Sequence, residues 1–463
     1  MHKTDFGVLG LGVMGKSISL NIADNDFSVS VYNRIEADET HIVSKFIHDN
    51  SHYKNIYGFT DIAKFVASIE RPRKILLMIK AGNPIDLVIE QLLPFLDKND
   101  IIIDGGNSLY TDTTRRSRCL TFKNVYFIGC GISGGEEGAR KGPSIMPGGS
   151  INAYKQVAPI LEKISAKDKN NNPCCVHIGT DGAGHFVKMV HNGIEYAEMQ
   201  LLSEIYAILS TSHTNEEIAT ILSNWNSRSE KSYLLEITIE ILRKKEGNDY
   251  VIDRILDKAL SKGTGSWSSK IALDLGIPST MISSAVFARY ISTLKEKRVK
   301  FSKSIKKKNS LKSINHKSLE RAYGFARTIN HHQGFQLIQK ASENYNWDLN
   351  LSEIARIWTN GCIIRSKLIE LSVEILKNHS DYFEDHITFK SLISSEKHIV
   401  TTLQYGLANR VPLDAFSVAH NYWISITTEK SSANIIQAQR DYFGAHTYQR
   451  NDIDSSEFFH TNW

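Results

Sequence analysis

The feature that most constrains this chain is Gly10-Leu11-Gly12-Val13-Met14-Gly15, which follows the apolar run Phe6-Gly-Val-Leu9 and opens a helix-like stretch from Ser17 to Asp24. Strand, glycine turn and helix in that order form the phosphate-binding start of a dinucleotide fold. The first glycine permits the tight turn, the second lets backbone approach a pyrophosphate, and the third lets helix pack on strand. The anion is then expected on the free N–H groups at the helix N-terminus, where the helix dipole is positive. Taken alone, six such residues are also what a plain glycine-rich turn looks like, so the surrounding chain has to decide.

Short apolar runs recur at 29–32, 75–79, 101–104, 125–129 and 176–178, with helical patterns between them. This alternation predicts a parallel sheet covered by helices. From Gly184 onward long helix-period segments take over and strand candidates become few. The expected architecture is an α/β Rossmann-like N-terminal domain followed by a large all-α domain and a short C-terminal tail, with limits at 1–181, 182–428 and 429–463. At roughly 150 residues per domain such a length accommodates three units, or two with one oversized.

Composition narrows the function classes. Hydrophobic residues make up 41% and charged residues 23% of the 463, ordinary globular usage with no case for disorder. A net charge of +5 weakly favours anionic ligands and does not imply nucleic acid. The basic stretch 295–312, with Lys306-Lys-Lys308, reads either as a surface for an anionic partner or, preferably, as a solvated loop. Five cysteines without C-x-x-C spacing, two of them adjacent at Cys174 and Cys175, suit a reducing compartment and no metal site. The chain opens without a signal-peptide pattern and has no run approaching the ~18 apolar residues of a membrane helix, so a cytoplasmic protein is expected.

The run 29–32 ends in Asn33-Arg34, where dinucleotide folds place the residue that reads the ribose. An acid there would accept from a 2′-OH, whereas the Arg34 guanidinium suits a 2′-phosphate, so NADP is preferred and NAD stays possible. Glu36, Asp38 and Glu39 oppose that preference unless they point outward.

A second concentration of chemistry follows the Gly179-Thr-Asp-Gly-Ala-Gly184 junction. Lys188, His191, Asn192, Glu195 and Tyr196 stand at i, i+3, i+4, i+7 and i+8, on one side of a helix, with Val187, Val190, Ile194, Ala197 and Leu201 opposite. An ordinary wet face is one reading. A base, an acid, an amide and an imidazole within two turns, beside a domain junction where ligands prefer to sit, is the other. Upstream, eight glycines between Gly129 and Gly149 predict a shaped loop at a strand's carboxyl end, with Ser133-Gly134-Gly135 able to turn several N–H groups onto one anion. Asp104-Gly-Gly-Asn107-Ser108 ends another strand in the same way.

These segments resemble a family. Asp104-Gly-Gly-Asn-Ser, Gly131-Ile-Ser-Gly-Gly-Glu-Glu-Gly-Ala-Arg140, Gly142-Pro-Ser-Ile-Met-Pro-Gly-Gly149, His185-Phe-Val-Lys-Met-Val-His-Asn-Gly-Ile-Glu-Tyr196 and Gln437-Ala-Gln-Arg-Asp-Tyr-Phe-Gly-Ala-His-Thr-Tyr448 look like decarboxylating 6-phosphogluconate dehydrogenase. The likeness runs from the first glycine turn to Phe459-His-Thr-Asn-Trp463, effectively the whole chain, with five long motifs in order.

The resemblance implies oxidation of 6-phosphogluconate by NADP with loss of CO2 to give ribulose 5-phosphate, the oxidative pentose phosphate reaction, without a metal. It implies Lys188 as general base and Glu195 as the acid that protonates C1 of the enediol. Asn107, His191 and Asn192 would position the substrate, and Ser133, Gly134 and Gly135 would receive its carboxylate. Tyr196, Lys262, Thr264 and Arg289 would hold the phosphate, joined by Arg440 and His446 from the neighbouring subunit of a homodimer. Gly10, Leu11, Gly12, Val13, Met14, Gly15, Asn33, Arg34, Ile35, Ile79, Lys80, Ala81 and Asn107 match positions that line the dinucleotide.

Four departures stand out. Ile35 replaces a Thr common in NADP users and has no hydroxyl for a phosphate; Ser266 replaces a Lys near the phosphate pocket; Ser431-Ser432 replaces Leu-Pro; and longer members continue beyond the position of Trp463. Two other readings compete. A β-hydroxyacid dehydrogenase acting on a smaller, unphosphorylated acid is opposed by Lys262, Arg289 and Arg440. A non-catalytic dinucleotide-binding protein is opposed by the intact Lys188 and Glu195.

Overall fold

The computed structural model describes residues 3–36, 39–261, 263–305, 313–453 and 456–463. Strands β1 (Phe6–Leu9), β2 (Val29–Tyr32), β3 (Ile56–Phe59), β4 (Lys74–Leu77), β5 (Ile101–Asp104), β6 (Tyr126–Ser133) and β7 (Ser144–Gly149) form one sheet in the order β3-β2-β1-β4-β5-β6-β7. All pairings are parallel except β6 with β7. Alternate residues serve opposite faces: Ile101 and Ile103 join the core of Phe6 and Val8, while Ile102 packs with Leu9 and Leu77 on the other side. Burial on both faces is why these strands read as unbroken apolar runs.

The covering helices are α1 (Val13–Asp24), α2 (Ile42–Asp49), α3 (Ile62–Ala67), α4 (Asn83–Leu92), α5 (Tyr110–Thr121), α6 (Gly135–Lys141) and α7 (Ile151–Ile164). The chain steps outward from β1 to β3 and then returns to lay β4 on the other side of β1. Connections that diverge from that point leave a crevice at the carboxyl ends of β1 and β4, where ligands of such sheets bind.

Two local expectations fail. The glycine-rich stretch 129–149 is not a loop but strand, helix and strand, β6-α6-β7. Three of its four strand glycines answer close packing rather than backbone freedom; the fourth, Gly149, has φ +129°. A Cβ on Gly129 would lie 2.4 Å from Thr113 Cγ2, one on Gly131 2.4 Å from Lys188 Cβ, and one on Gly148 2.3 Å from Gly184 N. The segment 176–178 is not a strand: Ile178 N–H donates to Pro147 O at 2.8 Å, but Pro147 has no N–H to continue a ladder, leaving a single bridge at Ile145 and Cys175.

Among the described residues beyond 182 the structure is mostly helical, its named strands being those of a two-stranded ribbon, Lys245–Glu246 with Asp249–Tyr250. Helix α8 (Ala183–Leu209) runs through the middle, against β6 and β7 at its start and the 30-residue helix His316–Tyr345 along its length. A large apolar core built on Leu201, Ile205, Ile208, Tyr323 and Phe416 holds this half together. The final helix, Ala433–Gly444, buries only Asp441 and leaves Ile435, Ile436, Tyr442 and Phe443 exposed. Among the described residues no helix is long and apolar enough to cross a membrane.

Candidate functional site

The glycine turn is built around close approach. Gly10 has φ +103° and a Cβ there would sit 2.6 Å from Met78 O, while a Cβ on Gly15 would sit 1.9 Å from Gly10 O. Gly12 differs: it starts α1, and a Cβ on it would meet nothing within 4 Å. An uncapped helix N-terminus with open space over its middle glycine fits a dinucleotide pyrophosphate. Leu11 is buried and its N–H donates to Asn33 Oδ1 at 3.0 Å, so Asn33 braces the turn. Val13 is exposed, and Met14 packs against the sheet core.

Arg34 pairs with Glu36 at 2.9 Å and Glu39 at 3.5 Å, and Ile35 is exposed beside it. Both acids therefore turn toward the guanidinium rather than away; Asp38 lies outside the described residues. Ile79, Lys80 and Ala81 follow β4 in the adjacent turn, with only Lys80 fully exposed. After β5 the Asp104 carboxylate accepts from Gly106 N–H at 3.1 Å and Ser108 Oγ at 2.7 Å, fixing the turn that carries exposed Asn107.

The polar stripe of α8 is not a wet face. Lys188, His191 and Tyr196 are buried; Asn192 and Glu195 are half-buried. Lys188 Nζ lies 3.5 Å from His191 Nδ1, and His191 Nε2 lies 3.2 Å from the buried Ser133 Oγ. Glu195 Oε2 stands 3.9 Å and Asn192 Oδ1 3.4 Å from the same Nδ1. Trp358 meets the imidazole edge-on, ring centroids 5.3 Å apart, and fixes its plane. Burial pushes the Lys188 ammonium below the usual lysine range, with Glu195 pulling the other way. Burial, then the charge of Lys188, keeps His191 neutral by driving it well below an ordinary imidazole. Gly134 and Gly135 adjoin this group with φ +115° and +62° at the start of α6, a conformation side chains resist.

One residue further along α8, a second cluster forms. The Arg289 guanidinium lies 3.6 Å from the Tyr196 ring centre and donates to Leu260 O at 3.0 Å, and burial lowers its basicity. Thr264 begins the helix Thr264–Asp274, and a Cβ on Gly265 would stand 2.7 Å from the Tyr196 ring, so the glycine lets that helix close on it. Ser266 Oγ is turned inward to Gly263 O at 3.1 Å. Lys262 lies outside the described residues. Arg440 and His446 are not brought to this cluster within the chain: both are exposed on the C-terminal segment, where Arg440 contacts Gln437 Oε1 at 3.1 Å.

Sequence reading missed the residues that hold the two halves of the site together. Buried His185 has Nε2 at 3.0 Å from Asp104 O and Nδ1 at 2.6 Å from Thr113 Oγ1. Nε2–H must therefore donate to the carbonyl while Nδ1 accepts the threonine hydroxyl, a neutral tautomer consistent with its burial. Arg116 lies 3.5 Å from Asp104 and grips Asp86 at 2.7 Å, tying the end of β5 to the first turn of α4. The segment Trp358-Thr-Asn-Gly-Cys362 was also overlooked, although Gly361 O accepts from Ser144 N–H at 2.8 Å and closes over β7. Only the unusual run of Trp, Gly and Cys in a helical region could have drawn notice to it.

A doubly wound sheet with an open glycine turn, set against a helix that buries a lysine next to a carboxyl, defines a dinucleotide-dependent dehydrogenase. Comparison with known proteins narrows the class. Residues 5–179 match the NAD binding domain of 6-phosphogluconate dehydrogenase, and residues 184–463 match the 6-phosphogluconate dehydrogenase C-terminal domain. The decarboxylating 6-phosphogluconate dehydrogenase of Escherichia coli is 44% identical over the full length of both chains. The NADP(+)-dependent, decarboxylating enzyme of Bacillus subtilis is 46% identical, again over the whole of both. A 6-phosphogluconate dehydrogenase structure from Plasmodium falciparum, described in apo form and with NADP+ and 6-phosphogluconate, superposes with TM-score 0.93 at 38% identity, covering 99% of this chain and 100% of that one. The chain belongs to the 6-phosphogluconate dehydrogenase family.

Proposed function

We infer that the chain oxidises and decarboxylates 6-phospho-D-gluconate to ribulose 5-phosphate and CO2, reducing NADP. NADP, when bound, supplies the acceptor for the hydride from C3. Gly10, Gly12 and Gly15 would hold its pyrophosphate on α1, with Asn33 and Arg34 at the ribose. The chain's own residues manage the protons and charges. Lys188, depressed by burial, takes the C3 hydroxyl proton as a neutral amine and then, as ammonium, donates to the new C3 carbonyl oxygen. That carbonyl lies β to the C1 carboxylate, so the C1–C2 bonding pair flows into it as CO2 leaves. The enediol formed takes a proton from Glu195 at the former C2, which becomes C1 of ribulose 5-phosphate.

The observation that carries this assignment is the buried Lys188–His191–Ser133 chain with Glu195 beside it. A neutral imidazole that accepts from Lys188 at Nδ1 donates from Nε2 to Ser133, so one ring fixes both the base and the hydroxyl expected at the substrate carboxylate. Positioned donors of this kind do the electrostatic work at developing charge. Tyr196, Thr264 and Arg289 form the phosphate end, where an arginine can grip a dianion in bidentate fashion.

The exposed C-terminal helix supports a homodimer in which Arg440 and His446 serve the partner's site. The reaction itself is tested by mixing the purified chain, NADP and 6-phosphogluconate: one CO2 and one ribulose 5-phosphate per NADPH are expected, and no turnover with either NADP or NAD rejects the assignment. Site sharing is tested by mixing Lys188→Met and Arg440→Ala dimers. Subunit exchange should restore about a quarter of wild-type sites, because only one site of each mixed dimer is intact. No recovery would place Arg440 in its own chain's site. A reducing, cytoplasmic setting suits five free cysteines, four of them buried.

A further inference from the structure

The environment of Arg34 bears on which cofactor the chain prefers. The residue stands just past β2, where a guanidinium meets a ribose 2′-phosphate, yet its fork is already engaged: NH2 with Glu36 Oε2 at 2.9 Å and Nε with Glu39 Oε2 at 3.5 Å. Glu39 is not a loosely solvated acid. The same Oε2 accepts from Asn33 Nδ2 at 3.0 Å, and Asn33 Oδ1 accepts from Leu11 N–H at 3.0 Å, so the carboxylate is tied to the glycine turn. Ile35, between the arginine and the acids, is 59% exposed and offers no hydrogen bond.

Two carboxylates around one guanidinium leave a net negative charge where a phosphate dianion must bind. A 2′-phosphate must displace both contacts and sit beside the displaced acids. A 2′-OH pays neither cost and can donate to a carboxylate. We propose that Glu36 and Glu39 are specificity-determining residues, internal anions that compete with the 2′-phosphate for Arg34 and hold down the preference for NADP over NAD. The proposal rests on the reading that this turn binds NADP, and it adds which residues limit that binding.

The test is a binding measurement that needs no turnover. Adenosine 2′,5′-bisphosphate and adenosine 5′-monophosphate are titrated calorimetrically into the wild type, Glu36→Gln, Glu39→Gln and the double variant, each also in an Arg34→Ala background. Glutamine at 39 keeps an oxygen for Asn33 and so spares the brace on the glycine turn. Exposed ion pairs are individually weak, so each change should tighten the bisphosphate by ~2–5-fold and the pair by ~5–20-fold. The monophosphate should move less than about twofold, and the gain should shrink at high salt as screening sets in. With Arg34→Ala the part of the gain that comes from freeing the guanidinium should be lost, leaving only the relief of repulsion. An unchanged bisphosphate affinity in both single variants, equal shifts for the two nucleotides, or a gain undiminished by Arg34→Ala would each overturn the proposal. Glu36→Gln alone decides if the Glu39 variant is unstable, since Arg34 is the side-chain partner of Glu36 among the described residues. A chain that fails to oxidise 6-phosphogluconate would sink the functional assignment and leave these affinities readable.

Discussion

Gly12→Ala separates what the glycine turn does for the fold from what it does for the ligand. Gly12 has φ −69° and ψ −175°, which alanine adopts freely, and a Cβ there would touch nothing within 4 Å. The folded chain should therefore tolerate the methyl: the unfolded-state gain of ~0.4–1 kcal/mol offsets a slightly poorer helix cap, and the melting temperature should barely move. A pyrophosphate that must approach this backbone meets the methyl directly. Overpacking of about 1–3 kcal/mol corresponds to roughly 5–150-fold weaker NADP binding. Thermal melts together with NADPH fluorescence titration read the two effects separately. Unchanged melting with unchanged affinity would refute the placement of the pyrophosphate over α1. The same change at Gly15, where a Cβ would stand 1.9 Å from Gly10 O, should instead cost stability first.

Gly131→Ala pushes a methyl to 2.4 Å from Lys188 Cβ, so β6 and α8 must part. Since a displacement near 1 Å can cost ~10²-fold in rate, kcat in steady-state assays should fall by about that factor while the KM for NADP holds. Arg327→Met strands Glu198, whose carboxylate the Arg327 guanidinium and His331 hold down at about 2 against burial. Removing one partner of such a pair costs roughly 3–5 kcal/mol at pH 7 in denaturant titration. A depressed carboxyl stabilises above its unfolded pKa and loses that contribution as pH falls through the folded value, so the gap between variant and wild type should narrow below about pH 4.5. For catalysis, Lys188 must be neutral to act. kcat/KM should therefore rise with pH along a limb lying below the ordinary lysine value of 10.5, and Lys188→Met should abolish that limb.

How much was legible beforehand follows from which physics is local. The strands at 29–32 and 101–104 and the glycine turn announce themselves because period and turn chemistry act within a few residues. The α8 stripe was visible as geometry, since helical spacing alone puts Lys188, His191 and Glu195 on one side. Whether that side met water or a cleft was not, because Ser133, Trp358 and Gly131 arrive from distant segments. The misreading of 129–149 has the same origin. In the sequence a glycine signals backbone freedom, whereas at Gly129, Gly131 and Gly148 it answers contact with Thr113, Lys188 and Gly184. His185 could not be singled out for a like reason: its role depends on Asp104 and Thr113, some 81 and 72 residues away.

The reaction depends on one buried amine, that of Lys188. With 6-phosphogluconate and NADP both saturating, kcat of Lys188→Met should drop by ~10²–10⁴-fold while the substrate still binds with near wild-type Kd. A variant that turns over within tenfold of the wild type would show that the proton leaves the C3 hydroxyl by another route.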